Sequence, residues 1–397
     1  MKYLIIGNGV AGTAAAENIR KRDHTGEITI LTEEGTPFYS RIRLIEYLAG
    51  EANEEDIVIH SKEWYEKNKM ELHLDAHVSS IDREAEEAVT AAGEHFSYDR
   101  LLLATGGTSF IPPIAGADKK GVFALRTIKD ADEIISFAEG KKKIIMIGGG
   151  VLGLEAANSL RKRGHDICVV EFFPRLLPRQ MDPEGAEVLK AQMESMGCTF
   201  FLGAKTKEIS GDDQVSGIVL EDGTMIDGSL VIISAGVRAQ TGLAGTLGLT
   251  VNKGIPVNDR METEKQGVFA AGDVIEHRDL CYGIWPAAQK QGEVAGTNMA
   301  GGDMSYEGTT MSNVLKVAGI DLAAAGDIDA DGTCNAVSHK DSSSFIYKKI
   351  VIKEHVISGC ILYGDITGYR KILKAIEEKK DVSGIMDRLE KWDLGAL

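Results

Sequence analysis

The sequence predicts an α/β chain of two similar three-layer domains followed by a small α+β domain. Three observations carry that prediction. The chain opens on YLIIGNGVAGTAAAENI, residues 3 to 19, which reads as a buried strand, a glycine-rich turn and a helix of small residues. The order returns in IIMIGGGVLGLE, residues 144 to 155, and the pattern changes character after about residue 304.

In the first unit, residues 2 to 6 are apolar and β-prone, 11 to 22 fit a helix, and 27 to 31 (EITIL) form a second strand. The same elements are expected at 143 to 147, 151 to 163 and 166 to 170, too far away for a solenoid repeat, so the two units belong to separate domains. Residues 81 to 107 read as antiparallel strands returning to a buried strand at 100 to 104, and Pro112 and Pro113 mark an exposed crossover. Two strands are expected around the EDG turn in 215 to 233, a buried strand in VFAAGD at 268 to 273, and a helix at roughly 286 to 300. Beyond 304, SFIYKKIVIKEHVISGCILYG alternates around KEH as a hairpin, and TGYRKILKAIEEKK is an amphipathic helix with Thr367 as its N-cap. The expected domains are 1–113 with 238–303, then 114–237, then 304–397.

At 397 residues the chain has ample material for two or three cores. With 44 basic and 60 acidic residues its formal charge is -16, which disfavours nucleic acid and anionic membrane surfaces as partners. No apolar run approaches the ~20 residues that cross a bilayer, and the N-terminus makes a poor signal-peptide core. The five cysteines (Cys168, Cys198, Cys281, Cys334 and Cys360) are scattered, without a CxxC pair, as expected in a reducing cytoplasm. The nine histidines show no metal-ligand spacing, and no metal is expected.

The two turns carry the chemistry. A glycine-rich turn between strand and helix lets the backbone approach a pyrophosphate seated at the positive end of the helix. The turns are Gly7, Gly9 and Gly12, and Gly148, Gly150 and Gly153. Alone, either could be a device for tight packing. Each, however, has the strand before, the helix after, and an acid 21 or 18 residues beyond its last glycine, Glu33 and Glu171 respectively. These are therefore Rossmann-like dinucleotide-binding domains. A carboxylate accepts both ribose hydroxyls, whereas a 2′-phosphate ~4 Å from it would cost about 4 kcal/mol, roughly a thousandfold, at an effective dielectric of 20. Glu171 should thus favour NADH over NADPH, with Arg175 positioned in sequence to soften the preference. Two such domains in one chain imply one resident and one exchanging dinucleotide: FAD in the first, NADH in the second.

At this point IGNGVAG, ATGG at 104 to 107, IGGGVLGLE and GVFAAGD at 267 to 273 together resemble the two-dinucleotide-binding flavoproteins, the pyridine nucleotide-disulfide oxidoreductases and their relatives, over residues 1 to about 303. The resemblance implies that Asp273 binds the flavin ribityl and phosphate region, that Thr105, Gly106 and Gly107 pack near FAD, and that Glu155 helps seat the nicotinamide. On pattern alone Asp273 is a turn or cap residue and Glu155 an ordinary glutamate early in a helix. The disulfide-reducing members carry cysteines where this chain has PFYSRIRLIEYLAG, residues 37 to 50. Without that nucleophile, electrons are expected to leave from the flavin itself.

FYSRIRL is similar to the arginine-containing stretch of ferredoxin and rubredoxin reductases and of the nitrite reductase large subunit, which implies that Arg41 contacts FAD; as a bare pattern it is a surface arginine. Glu46 stands where the ferredoxin reductases of oxygenase systems have a lysine. Residues 306 to 328 and 359 to 383 look most like the NADH-rubredoxin reductase and nitrite-reductase-type group. Trp285 matches an aromatic that some relatives place beside the isoalloxazine, or else is a core tryptophan. The function so implied is FAD-dependent transfer from NADH to a small iron-sulfur or rubredoxin-like carrier protein such as rubredoxin or ferredoxin. The alternatives are an NADH oxidase using dioxygen and an electron-relay subunit of a nitrite-reductase-like assembly. The chain lacks a cysteine cluster for iron-sulfur or siroheme groups, so the acceptor is expected to be a separate molecule. Lysines at 119–120, 141–143 and 348–349 are candidates for a docking patch, and a homodimer is left open.

Overall fold

The computed structural model describes residues 1–310 and 312–397, so residue 311, inside one of the stretches compared above, lies outside the described residues. The elements that frame the candidate sites are, in chain order, β1 (Lys2–Ile6), α1 (Val10–Arg22), β2 (Glu27–Leu31), α2 (Leu44–Ala49) and β3 (Arg100–Leu103). Then come α3 (Ile128–Ala138), β4 (Lys143–Ile147), α4 (Val151–Lys162), β5 (Asp166–Glu171), α5 (Pro183–Ser195), β6 (Leu230–Ile233) and α6 (Trp285–Met299). The last are β7 (Ser312–Val317), β8 (Ile346–Lys353), β9 (Val356–Tyr363) and α7 (Tyr369–Glu377). Among the described residues no helix is long and apolar enough to cross a membrane.

Contacts gather the chain into two compact units. The first comprises Met1–Arg43, Asn53–Thr108 and Val237–Thr309. Its main sheet runs Val268–Ala270, β3, β1, β2, Met70–His73, with every neighbouring pair parallel. Buried on both faces, these strands read as continuous apolar runs, which is why LIIG and LLLA were legible as strands. The small residues of α1 have a packing reason. A Cβ on Gly292 or Gly296 of α6 would lie 2.2 Å from the Ala11 or Ala15 carbonyl oxygen, so the two helices meet backbone to backbone.

The second unit comprises Leu44–Ala52, Ser109–Gly236 and Thr310–Leu397. Its parallel sheet runs Thr199–Leu202, β5, β4, β6, Val122–Phe123, the same architecture built a second time. The 215 to 233 stretch holds three strands where two were expected: Gly217–Leu220 and Met225–Asp227 form the hairpin, and β6 joins the parallel sheet. The C-terminal part is a five-stranded antiparallel sheet, β7, Ile320–Gly326, β9, β8, Asn335–Asp341, with α7 packed on it. The KEH hairpin is there, turning on Glu354 (φ 47°) and His355 (φ 68°), a two-residue turn with both residues left-handed. The N-cap of α7 is Gly368 at φ 89° rather than Thr367, whose N–H instead donates to the Asp365 carboxylate at 2.9 Å. Only glycine enters that left-handed conformation without strain.

Within this unit the C-terminal sheet is pinned to α5. Lys349 is 6% exposed, and its ammonium donates to Asp182 at 3.0 Å and to the Asp329 carbonyl at 3.0 Å. Tyr347 donates to Asp182 at 2.7 Å and Tyr363 to Gln192 at 2.7 Å. Lys348 is paired with Asp365 at 2.5 Å. The lysines at 348–349 are therefore structural and drop out of any docking patch.

Candidate nucleotide sites and the residues around them

The first glycine turn is shaped by three different demands. Gly7 sits at φ 111°, and a Cβ there would fall 2.1 Å from the Ala104 carbonyl oxygen, so only glycine makes this turn against the neighbouring strand end. On Gly12 a Cβ would fall 2.0 Å from the Gly7 carbonyl oxygen, which sets how closely α1 lies on the strand. Beside Gly9 there is nothing within 4 Å, and Gly9 is the N-cap of α1 with no side-chain cap. Space and unspent N–H donors thus coincide at the middle glycine, where a pyrophosphate approaches.

The second turn repeats the pattern. Gly148 is at φ 117°, and a Cβ there would fall 2.2 Å from the Ser234 carbonyl oxygen; a Cβ on Gly153 would fall 2.2 Å from that of Gly148; and Gly150 is open and uncapped at the start of α4. In the first unit the buried Asn8, inside the turn, accepts from Tyr65 at 2.9 Å through its side-chain oxygen while its amide nitrogen has no partner. A buried donor left over beside an open glycine fits a phosphate-bearing ligand.

The acids differ. Gly7 donates to the carbonyl of Leu31 and Gly148 to that of Val170, each at 2.8 Å, so by register Thr32 is the counterpart of Glu171 and Glu33 lies one residue further on. Glu33 is exposed and paired with His77 at 3.0 Å. Glu171 is 6% exposed, with one carboxylate oxygen accepting from the Gly149 N–H at 2.5 Å and the other from the Phe173 N–H at 2.8 Å. It braces the turn that it also flanks. Arg175 is committed to its own loop, donating to the carbonyls of Met181 and Pro178, both at 3.2 Å.

Around the first turn the structure gathers Arg41, Glu34, Tyr39 and Asp273. Arg41 donates to Glu34 and, at 2.8 Å, to the Tyr39 hydroxyl. Burial works against its charge, but Tyr39, Glu34 and Asp273 outweigh burial and hold the guanidinium above its ordinary pKa. The loop after β3 is tied down by Thr105, whose hydroxyl donates to the Gln240 carbonyl at 2.8 Å, and by Gly106 (φ 71°), whose carbonyl accepts from Gln240 at 2.9 Å. Gln291 of α6 accepts from the Gly272 N–H at 3.0 Å, fixing the turn that carries Asp273.

Trp285, the first residue of α6, is half-buried, with its ring 5.8 Å from Phe38. Phe38 is 5.7 Å from His60, which stacks on Trp64 at 3.8 Å. The hydrogen bond from His60, more than anything else, holds Glu17 below its ordinary pKa. Sequence reasoning missed Phe38, His60 and Trp64, whose spacing carries no motif.

Glu155, on α4, is half-buried beside α2 of the same unit, and burial first, then the Glu46 carboxylate, push it up to about 8 against the pull of Lys162. All five cysteines are free thiols, with Cys198 and Cys360 buried. Burial raises the Cys360 thiol to about 12, which keeps it inert.

Two parallel α/β sheets, each ending in an open glycine cradle at a helix N-terminus, define a protein that holds two nucleotides. The chain belongs to the pyridine nucleotide-disulphide oxidoreductase family, whose model matches residues 1–292, and residues 312–380 match the rubredoxin NAD+ reductase C-terminal domain. The family works with FAD and NADH. The chain is 39% identical to the nitrite reductase [NAD(P)H] of Bacillus subtilis over 96% of its own length and 48% of that protein's, so it spans about half of that relative. It is 31% identical to the NADH-rubredoxin oxidoreductase of Clostridium acetobutylicum over 97% of this chain and 96% of that one. The crystal structure of the clostridial enzyme superposes with a TM-score of 0.84 at 30% identity, over 100% of this chain and 99% of the other.

Proposed function

We propose that the protein is an FAD-dependent NADH oxidoreductase that delivers electrons to a small iron-sulfur or rubredoxin-like carrier. The observation that carries the reading is the pair of open, uncapped glycine cradles in a chain whose 37 to 50 segment holds no cysteine. End-to-end similarity to a rubredoxin-reducing relative supports the carrier as acceptor. Bound FAD would supply the chemistry, accepting a hydride equivalent and delivering electrons singly.

The chain's own residues bind, orient and screen. In the first unit Gly7, Gly9 and Gly12 would cradle the FAD pyrophosphate, and Glu33, exposed one residue past the register position of Glu171, would reach its ribose. Arg41, Thr105, Gly106 and Asp273 would hold the rest of the flavin, and Trp285 would stand beside its ring at the start of the exit route. In the second unit Gly148, Gly150 and Gly153 cradle NADH, Glu171 reads its ribose, and Glu155 seats its nicotinamide. Functionally this keeps three domains, 1–113 with 238–303 for FAD, 114–237 for NADH, and 304–397 as an interface domain. Free, scattered cysteines suit a cytoplasmic protein. Nothing in the reading requires a homodimer.

The half-length match to nitrite reductase favours a second reading, in which the chain is an electron-relay part of a larger assembly. Anaerobic mixing with NADH, then with oxidised rubredoxin, ferredoxin or air, separates the readings. Rapid flavin bleaching followed by fast carrier reduction and slow reoxidation in air is expected. Reoxidation only in air marks an oxidase, and bleaching without turnover on any soluble carrier marks a relay subunit.

A further inference from the structure

The residue between the first two glycines is Asn8 in the first turn and Gly149 in the second. Asn8 is buried, and its amide is engaged at one end only. The side-chain oxygen accepts from the Tyr65 hydroxyl at 2.9 Å and from the Thr13 hydroxyl at 3.4 Å, while the nitrogen is buried without a partner. Both hydroxyls come from buried residues, Tyr65 on the short helix Lys62–Lys67 and Thr13 on α1. Tyr65 decides which way round the amide sits: with the phenol proton on the oxygen, the nitrogen is the end left over.

A donor shut away from water and left unmade is a standing cost that an incoming acceptor removes. The acceptor suited to this turn is a diphosphate, because the adjacent Gly9 is open and heads α1 without a cap. The second turn has neither the spare donor nor the space for one. A Cβ on Gly149 would fall 2.7 Å from the Leu176 side chain and 3.2 Å from the Glu171 carboxylate, and the Gly149 N–H already donates to that carboxylate. Where the first unit keeps a free donor, the second keeps an anion.

We propose that the Asn8 side-chain nitrogen donates to the diphosphate of the dinucleotide in the first unit, that Tyr65 is its positioning residue, and that this extra donor makes the first site resident and the second exchanging. The inference rests on the reading that FAD occupies the first unit and NADH the second. A hydrogen bond to a charged phosphate oxygen is one of the strong ones, and it is made in one cradle only. In the other, the Glu171 carboxylate works against a second negative group.

The test uses the flavin-loaded protein and follows FAD release on dilution, by the fluorescence regained in water, together with the phosphorus NMR resonances of the bound diphosphate. Asn8→Ala should speed release on the order of tenfold to a hundredfold. Asn8→Asp keeps an acceptor for Tyr65 and Thr13 but cannot donate, and its charge opposes the diphosphate, so release should be roughly a hundredfold faster or more. Both variants should move a phosphorus resonance. Tyr65→Phe should speed release by about tenfold or less, and in the Asn8→Ala background the same change should add no more than about twofold, because Tyr65 acts through Asn8. Tyr65→Phe removes a single oxygen and carries the test if an Asn8 variant does not fold.

Wild-type release and unmoved phosphorus resonances in Asn8→Ala and Asn8→Asp, or in Tyr65→Phe where those do not fold, would overturn the proposal. Equal losses from Tyr65→Phe with and without Asn8 would remove Tyr65 from it. Full flavin in Gly9→Val would instead defeat the assignment of FAD to the first unit.

Discussion

The two glycine turns are the same object built twice, and the residues after them are not. Gly7 matches Gly148 and Gly12 matches Gly153 to within a tenth or two of an ångström in the closest approach a Cβ would make, and Gly9 and Gly150 are alike open. At the end of the second strand the units diverge: the first places Thr32 at that register position and leaves Glu33 exposed and paired with His77, while the second buries Glu171 and uses both its oxygens on backbone N–H groups. The lesson is that one backbone geometry serves both cradles while the side chains past them are engaged differently.

The supports of the units contrast too. Arg41 and Glu34 in the first are half-buried, whereas Lys349 and Asp182 in the second are each 7% exposed at the side chain. The largest expected effect on stability lies there. Lys349→Ala leaves Asp182 without its cation and should cost about 3–5 kcal/mol in denaturant unfolding, against about 1 kcal/mol or less for Arg41→Ala. Equal losses would erase this contrast.

The acids come next. Glu171→Arg should raise the NADPH-to-NADH ratio of kcat/KM by up to about a thousandfold, the Coulomb term released when a carboxylate no longer faces a 2′-phosphate. An unchanged ratio means that Glu171 only braces the Gly149 turn. Smaller again is a backbone effect common to both units. Gly7→Ala and Gly148→Ala force a Cβ into a carbonyl oxygen at a left-handed φ and should each destabilise by about 3 kcal/mol, while Gly9→Ala and Gly150→Ala should stay within about 0.5 kcal/mol. Thermal unfolding of the four variants would show whether the units share this division of labour.

How much of this was legible depends on how local the cause is. The strand, turn and helix of each unit, the KEH hairpin and α6 follow from short-range pattern, and the structure has them where the sequence places them. Glu33 lies one residue beyond the register position that Glu171 takes in the second unit, a difference that spacing does not record because it counts only to the nearest carboxylate. Thr367 has the right chemistry for a cap, yet Gly368 takes the position because the chain enters α7 in a left-handed conformation. Lys348 and Lys349 look like solvated charges in sequence, and only tertiary packing reveals Asp365 and Asp182 beneath them. Likewise Glu46 and Glu155 are brought into one field by a short helix that packs with residues more than a hundred positions away, which no periodicity records.

The most direct measurement is of bound flavin and its anaerobic bleaching by NADH in Gly9→Val and Gly150→Val. Both positions have extended backbone and open space beside them, so the fold tolerates the side chain while the cradle is filled. The account predicts that Gly9→Val purifies without flavin, and that Gly150→Val keeps its flavin but is no longer bleached by NADH. Full flavin in Gly9→Val, or undiminished bleaching in Gly150→Val, would contradict the assignment of one dinucleotide to each turn.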